Sequence, residues 1–146
     1  MEDVLKDYPV IIEMPVEWGD MDAFGHVNNV IFYRYFENSR IAYLEKIGLW
    51  EHMKKHSIGP ILASSRCKYK VPLTYPDTVS IGSKVTQIEE DRFLMEHVIY
   101  SQNHDTIVAE GDGTIVIFDY SKKTKAPIPE HIRSSIYTLE DLVSRH

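Results

Sequence analysis

Residues 29–46, NVIFYRYFENSRIAYLEK, dictate more of the architecture than any other stretch of this chain. They read as a helix running from Asn29 to about Lys46, with Gly48 as its stop signal. At ~100° per residue, Arg34, Asn38 and Glu45 form one narrow polar stripe. Phe32, Tyr33, Tyr35, Phe36, Tyr43, Leu44 and Ile47 occupy much of the remaining circumference. A helix apolar over most of its surface belongs in a core. The rest of the chain must therefore wrap around it.

The wrapping is legible as strands. In residues 10–18, VIIEMPVEW, the side chains Ile12, Met14, Val16 and Trp18 alternate onto one face. Residues 19–28 are a loop of small and polar residues. Four further strand-like segments follow near residues 61–70, 78–89, 92–102 and 106–119, with EEDR and SQNHD as hairpin connections. In the last of them Ala109, Gly111 and Gly113 share a face with Ile115 and Ile117, which lets a sheet approach a bulky helix closely. After Pro127 and Pro129 the spacing of Ile132, Ile136, Leu139 and Val143 predicts a short amphipathic helix. The order is strand, long buried helix, then four antiparallel strands: an α+β chain. Its 146 residues fit one domain, 1–146, large enough for a real core.

Composition removes several function classes. A net charge of −6 argues against general binding to nucleic acid or to an anionic membrane, while leaving room for a small anionic ligand at a local basic patch. Cys67 is the only cysteine, so neither an intrachain disulfide nor a multi-cysteine zinc site can form, and it reads as a packed thiol in a reduced cytoplasm. No run approaches the ~20 apolar residues of a membrane helix, and the opening MEDVLKDYPV lacks a signal-type apolar core. His52 and His56 stand at i,i+4 but have no third ligand near them in sequence, so they read as a surface feature. GDGT at 111–114 lacks the lysine of a phosphate loop and falls inside a strand. No metal or cofactor is expected.

The chemistry concentrates in GDMDAFGHVNNVIFYRYFENSR, residues 19–40. A helix start leaves its first N–H groups unpaired and carries roughly half a positive charge, enough to hold a developing oxyanion. Asp20 and Asp22 lie just upstream as candidate nucleophiles or general bases, and the His26 imidazole is a candidate proton shuttle. Gly25 permits a tight loop. Ordinary capping explains Asp and Asn before a helix equally well. Both readings stand on the residues alone.

GDMDAFGHVNNVIFYRYF, with the downstream pair Glu37 and Arg40, resembles the signature of hotdog-fold thioesterases of the 4-hydroxybenzoyl-CoA thioesterase type. ILASSRCKYKVPLTYPDTVSIGSKV and VAEGDGTIVIFDYSKKTKAPIPE resemble the strands of that family, and the likeness spans roughly residues 10–131. The resemblance implies a five-stranded antiparallel sheet wrapped around a long central helix. It implies that Asp22 is the nucleophile or base and that the backbone N–H of Asn29 is the oxyanion donor, with His26 or Asn28 orienting the attacking group. Tyr33 would line the acyl pocket. Relatives hold nucleotide phosphates near the third hairpin, but residues 89–92 here are largely acidic, so Arg66, Lys68 and Lys70 become the phosphate contacts. The implied substrate is acyl-CoA, and the implied assembly a homodimer or a tetramer built from two dimers. HVNN also resembles acyl-carrier-protein thioesterases, in which the equivalent histidine takes part in catalysis. Those enzymes and a non-catalytic acyl-thioester binder are the alternatives. Phe32, Tyr33, Tyr35 and Phe36 of the helix are expected near the acyl group and favour medium aliphatic or aryl acyl groups over acetyl and over very long chains.

Overall fold

The structure is a computed structural model and describes residues 2–144. Its elements are α1 (Glu2–Leu5), β1 (Val10–Pro15), a 3-10 turn (Trp18–Asp20), α2 (Asn29–Lys46), α3 (Leu49–His56), β2 (Ile58–Tyr69), β3 (Thr78–Ile88), β4 (Arg92–Ser101), β5 (Thr106–Asp119), β6 (Thr124–Lys125) and α4 (Glu130–Ser144). The five long strands form one antiparallel sheet in the order β1-β3-β4-β5-β2, and the two-residue β6 pairs with the end of β5. Register shifts at Leu62/Ser64, Val85/Gln87 and Ile99/Tyr100 add local twist, so the sheet curls. α2 lies on its concave face. This is the hotdog arrangement that the resemblance implies.

Apolar burial explains the seat of α2. Its first half sends Phe32, Tyr35 and Phe36 into a cluster with Val79, Ile81, Ile99 and Ala109. Its second half sends Tyr43 and Leu44, with Ile47 just past its end, into another with Phe93, Met95 and Ile115, roofed by Ile132, Ile136 and Leu139 of α4. The small residues of β5 set the distance between the layers. A Cβ at Gly111 would lie 2.5 Å from the Arg66 carbonyl oxygen and 2.7 Å from Phe36 Cζ.

A buried polar chain links helix and sheet. The Ser39 and Ser83 hydroxyls are hydrogen-bonded to one another, and Ser83 Oγ lies 2.7 Å from His97 Nδ1. His97 is 1% exposed and stacks on Phe36 with ring centroids 5.2 Å apart. Burial, helped by the nearby Arg40 charge, pushes the His97 pKa down to about 3. The buried nitrogens Arg40 Nη1 and His97 Nε2 have no protein partner.

Four expectations are corrected. β1 ends at Pro15 because the Val16 N–H bonds to Asp77 O (2.9 Å) and the chain then turns, with Glu17 N–H donating to Asp20 Oδ2 (3.0 Å). Trp18 therefore leaves the strand face and is 72% exposed. α3 forms where no element was expected, opened by Gly48 at φ 81° and anchored by the fully buried Leu49. β2 starts at Ile58, three residues earlier than the pattern indicated, extending its ladder to Asp119. Finally, α2 is sheathed on one side only. Val30, Tyr33 and Ile41 stay exposed, while Ser39 and Arg40 are buried, so burial does not follow the expected polar stripe. Among the described residues no helix is long and apolar enough to cross a membrane.

Candidate active site

The loop before α2 is held by its own backbone. Asp22 N–H donates to His26 O (2.9 Å), Gly25 N–H donates to Asp22 O (3.0 Å), and Met21 bridges Val27 across the turn. Gly25 sits at φ 79°, a left-handed value that costs an L side chain roughly 1–2 kcal/mol. The Phe24 N–H donates to Asp22 Oδ1 at 2.9 Å, so the carboxylate is oriented and only half buried. The loop is tied to the body by Val27 N–H on Leu73 O (2.8 Å) and Asn28 N–H on Asp20 O (2.9 Å).

Asn28 is the helix cap. Its side-chain oxygen accepts from Val30 N–H at 3.0 Å and its carbonyl from Ile31 N–H at 2.9 Å. Asn29 thus carries the first helical N–H that the cap does not take up. From β2, the Tyr69 hydroxyl donates to the Asn29 carbonyl at 2.9 Å, pinning the helix start to the strand. Burial raises the Tyr69 pKa to about 12, so the phenol stays protonated and a donor.

The loop and the helix start border one cavity of about 450 Å³, which Asn28 does not line. Asp22, His26, Asn29 and Lys70 share it with Phe32 and Tyr69, and its remaining wall is mostly apolar. An oriented carboxylate, a helix start and apolar walls are together suited to attack on an activated carbonyl. Among the described residues no three His, Cys, Asp or Glu side chains converge on one point as a formed metal site requires.

The other sequence-predicted residues lie elsewhere. Tyr33 lines a separate groove of about 260 Å³ with Val30, Leu62 and Arg40, on the unsheathed side of α2. Of the four helix aromatics expected near the acyl group, Phe32 alone reaches the Asp22 cavity, while Tyr35 and Phe36 are buried in the core. Arg66 and Lys68 line a third cavity, of about 530 Å³. Because Gly111 faces Phe36, its neighbours Glu110 and Asp112 turn to the opposite face of the sheet. There Arg66 makes two bonds to Asp112 (3.1 and 2.7 Å), and Lys70 Nζ pairs with Glu110 at 2.6 Å. Burial pushes the half-buried Cys67 thiol upward, away from a reactive thiolate. Tyr69 and Phe24 were not singled out from the sequence. Tyr69 shares its strand face with Cys67, which marks it as inward-leaning, but its bond to Asn29 spans forty positions and has no local signal.

Comparison with known proteins places this geometry. Residues 16–136 match the model of the thioesterase-like superfamily. A thioesterase from Thermus thermophilus, solved complexed with coenzyme A and Zn, superposes with a TM-score of 0.81 at 30% identity, covering 92% of this chain and 96% of that one. The long-chain acyl-CoA thioesterase FadM of Escherichia coli (strain K12) is 22% identical over 80% of this chain and 88% of its own. A chloroplastic acyl-acyl carrier protein thioesterase of Arabidopsis thaliana is 25% identical over 84% of this chain, which spans 65% of that protein's length. An α2 gripped by a curled sheet is thus the framework of a thioester hydrolase, and the chain belongs to the thioesterase-like superfamily.

Proposed function

We propose that the chain hydrolyses acyl-CoA thioesters to the free acid and CoA, as a single domain of the 4-hydroxybenzoyl-CoA thioesterase type acting in the cytoplasm. The observation that carries this reading is the Asp22 carboxylate, held by the Phe24 N–H in the same cavity as the start of α2. Asp22 either attacks the thioester carbonyl, expelling the thiolate and leaving an anhydride for water to open, or removes a proton from an attacking water. The Asn29 N–H and the positive end of α2 stabilise the oxyanion. His26 or Asn28 orients the attacking group, while the cavity's apolar wall receives the acyl chain. Each methylene buried there contributes about 0.8 kcal/mol, so medium aliphatic or aryl groups are favoured over acetyl.

Lys70, just past the end of β2, stands at the cavity, and Arg66 and Lys68 line another cavity along β2, so the CoA phosphates are assigned to these three cations. Tyr33 is assigned to the acyl group through a second subunit, because its groove opens on the unsheathed side of α2. The proposed assembly is a homodimer, or two such dimers. The Arabidopsis relative supports a second reading, in which the thiol carrier is acyl carrier protein.

The test is Asp22→Asn assayed by thiol release across a panel of CoA esters and one acyl carrier protein ester. The rate is expected to fall 10²–10⁴-fold with acyl-CoA binding retained. Near-normal turnover rejects Asp22. A kcat/KM highest for acetyl-CoA and falling with each added carbon rejects the acyl preference, and turnover confined to the carrier-protein ester selects the second reading.

A further inference from the structure

The fold supplies what the sequence lacked beside the His52–His56 pair. The two histidines stand one turn apart on the same side of α3. α4 begins against the junction of α2 and α3, where Ile132 Cδ1 reaches within 3.9 Å of the position a Cβ would take at Gly48. That docking carries His131, in the first turn of α4, up to His52. The ring centroids are 4.5 Å apart for His52 and His56 and 4.9 Å apart for His52 and His131. With metal–imidazole bonds of ~2.0–2.1 Å and near-tetrahedral angles, neighbouring ring centres around one zinc stand about 5 Å apart. The two spacings that share His52 come close to that value.

We propose that His52, His56 and His131 form a surface site for a divalent first-row cation such as Zn²⁺, with water in the remaining position. The ligands must be neutral to bind. As the side chains stand, the three rings are tilted at 38° and 46° to one another, and no trio of donors among the described residues is closed on one point. His56 and His131 are exposed, so rotation about their side-chain torsions closes the set without disturbing the core. The bound ion would tie α3 to α4, whose Ile132, Ile136 and Leu139 roof one half of the core. α2 separates this site from Asp22. Its 18 residues, at ~1.5 Å each, span about 27 Å.

The experiment is calorimetric titration of the metal-stripped, untagged full chain with Zn²⁺, with thermal melting in parallel. One Zn²⁺ per chain is expected, with a melting temperature that climbs with free zinc. His131→Gln should weaken binding at least tenfold. The triple variant His52→Gln, His56→Gln, His131→Gln should lose the site while keeping thiol release and its metal-free melting temperature. Absence of stoichiometric binding to the wild type, equal binding by the triple variant, or undiminished binding by His131→Gln each overturns the proposal. A readout on the unmutated chain covers the case of a variant that does not fold. Substoichiometric Co²⁺ should broaden the ring signals of these three histidines together and before those of His26 and His104, and broadening that spares His131 overturns the assignment.

Discussion

A methyl group at position 111 has nowhere to go, since it would meet both the Phe36 ring and the Arg66 backbone. Gly111→Ala should therefore cost about 1–3 kcal/mol, read as a lower urea midpoint with an unchanged slope. Gly25→Ala offers a contrast, because nothing lies within 4 Å of its added Cβ and the cost is backbone strain at φ 79°. Since that turn orients Asp22, Gly25→Ala should lower kcat in steady-state assays by more than its effect on stability explains. His97 sets a pH dependence. Its folded pKa of about 3 lies below the ordinary histidine value of 6.5, so the unfolded chain binds the extra proton. The contribution is complete above pH 6.5 and is lost as pH falls toward about 3, with a slope of up to ~1.4 kcal/mol per pH unit from this group. Urea midpoints measured across that window for wild type and His97→Gln should converge at the acid end.

The long helix was the most legible element, because both of its ends are chemical signals: the Asn28 cap and Gly48 at φ 81°. α4 was legible through the spacing of Ile132, Ile136 and Leu139 alone. α3 was not, because its 8 residues are too few to be helical without tertiary packing, and Leu49 earns its burial only in the assembled core. The Val16–Trp18 alternation continued past β1 in the sequence but lost its ladder in space. The site divides the same way. Asp22, His26 and Asn29 are near neighbours in the chain and meet at one cavity, whereas Tyr69 and Lys70 arrive from a distant strand. The burial of Arg40 could not be read from a helix whose sheathed side was unknown. At this scale the cap is the part to test. Asn28→Ala should destabilise by about 0.5–2 kcal/mol and, by freeing the Val30 N–H that the side chain caps, slow turnover without abolishing it. A full melt and a kcat measurement on one preparation would check both.

For the whole molecule, the open features sit together. β2 is the last strand of the sheet, Ile61 and Leu62 on it are exposed, and beside it α2 leaves Val30 and Tyr33 bare. An unpaired edge next to apolar surface is a template for association, so light scattering should report a dimer or larger. Leu62→Lys should shift it toward monomer and depress activity in proportion; an active monomer at assay concentration would reject the assembly. A different consequence follows from the chain of Ser39, Ser83 and His97. The imidazole's Nδ1 is bonded to Ser83 and its Nε2 is sealed from solvent, so whichever nitrogen carries the hydrogen, that hydrogen is interior. It can trade places with deuterium only when α2 lifts from the sheet. One atom therefore keeps time for the opening of the entire fold.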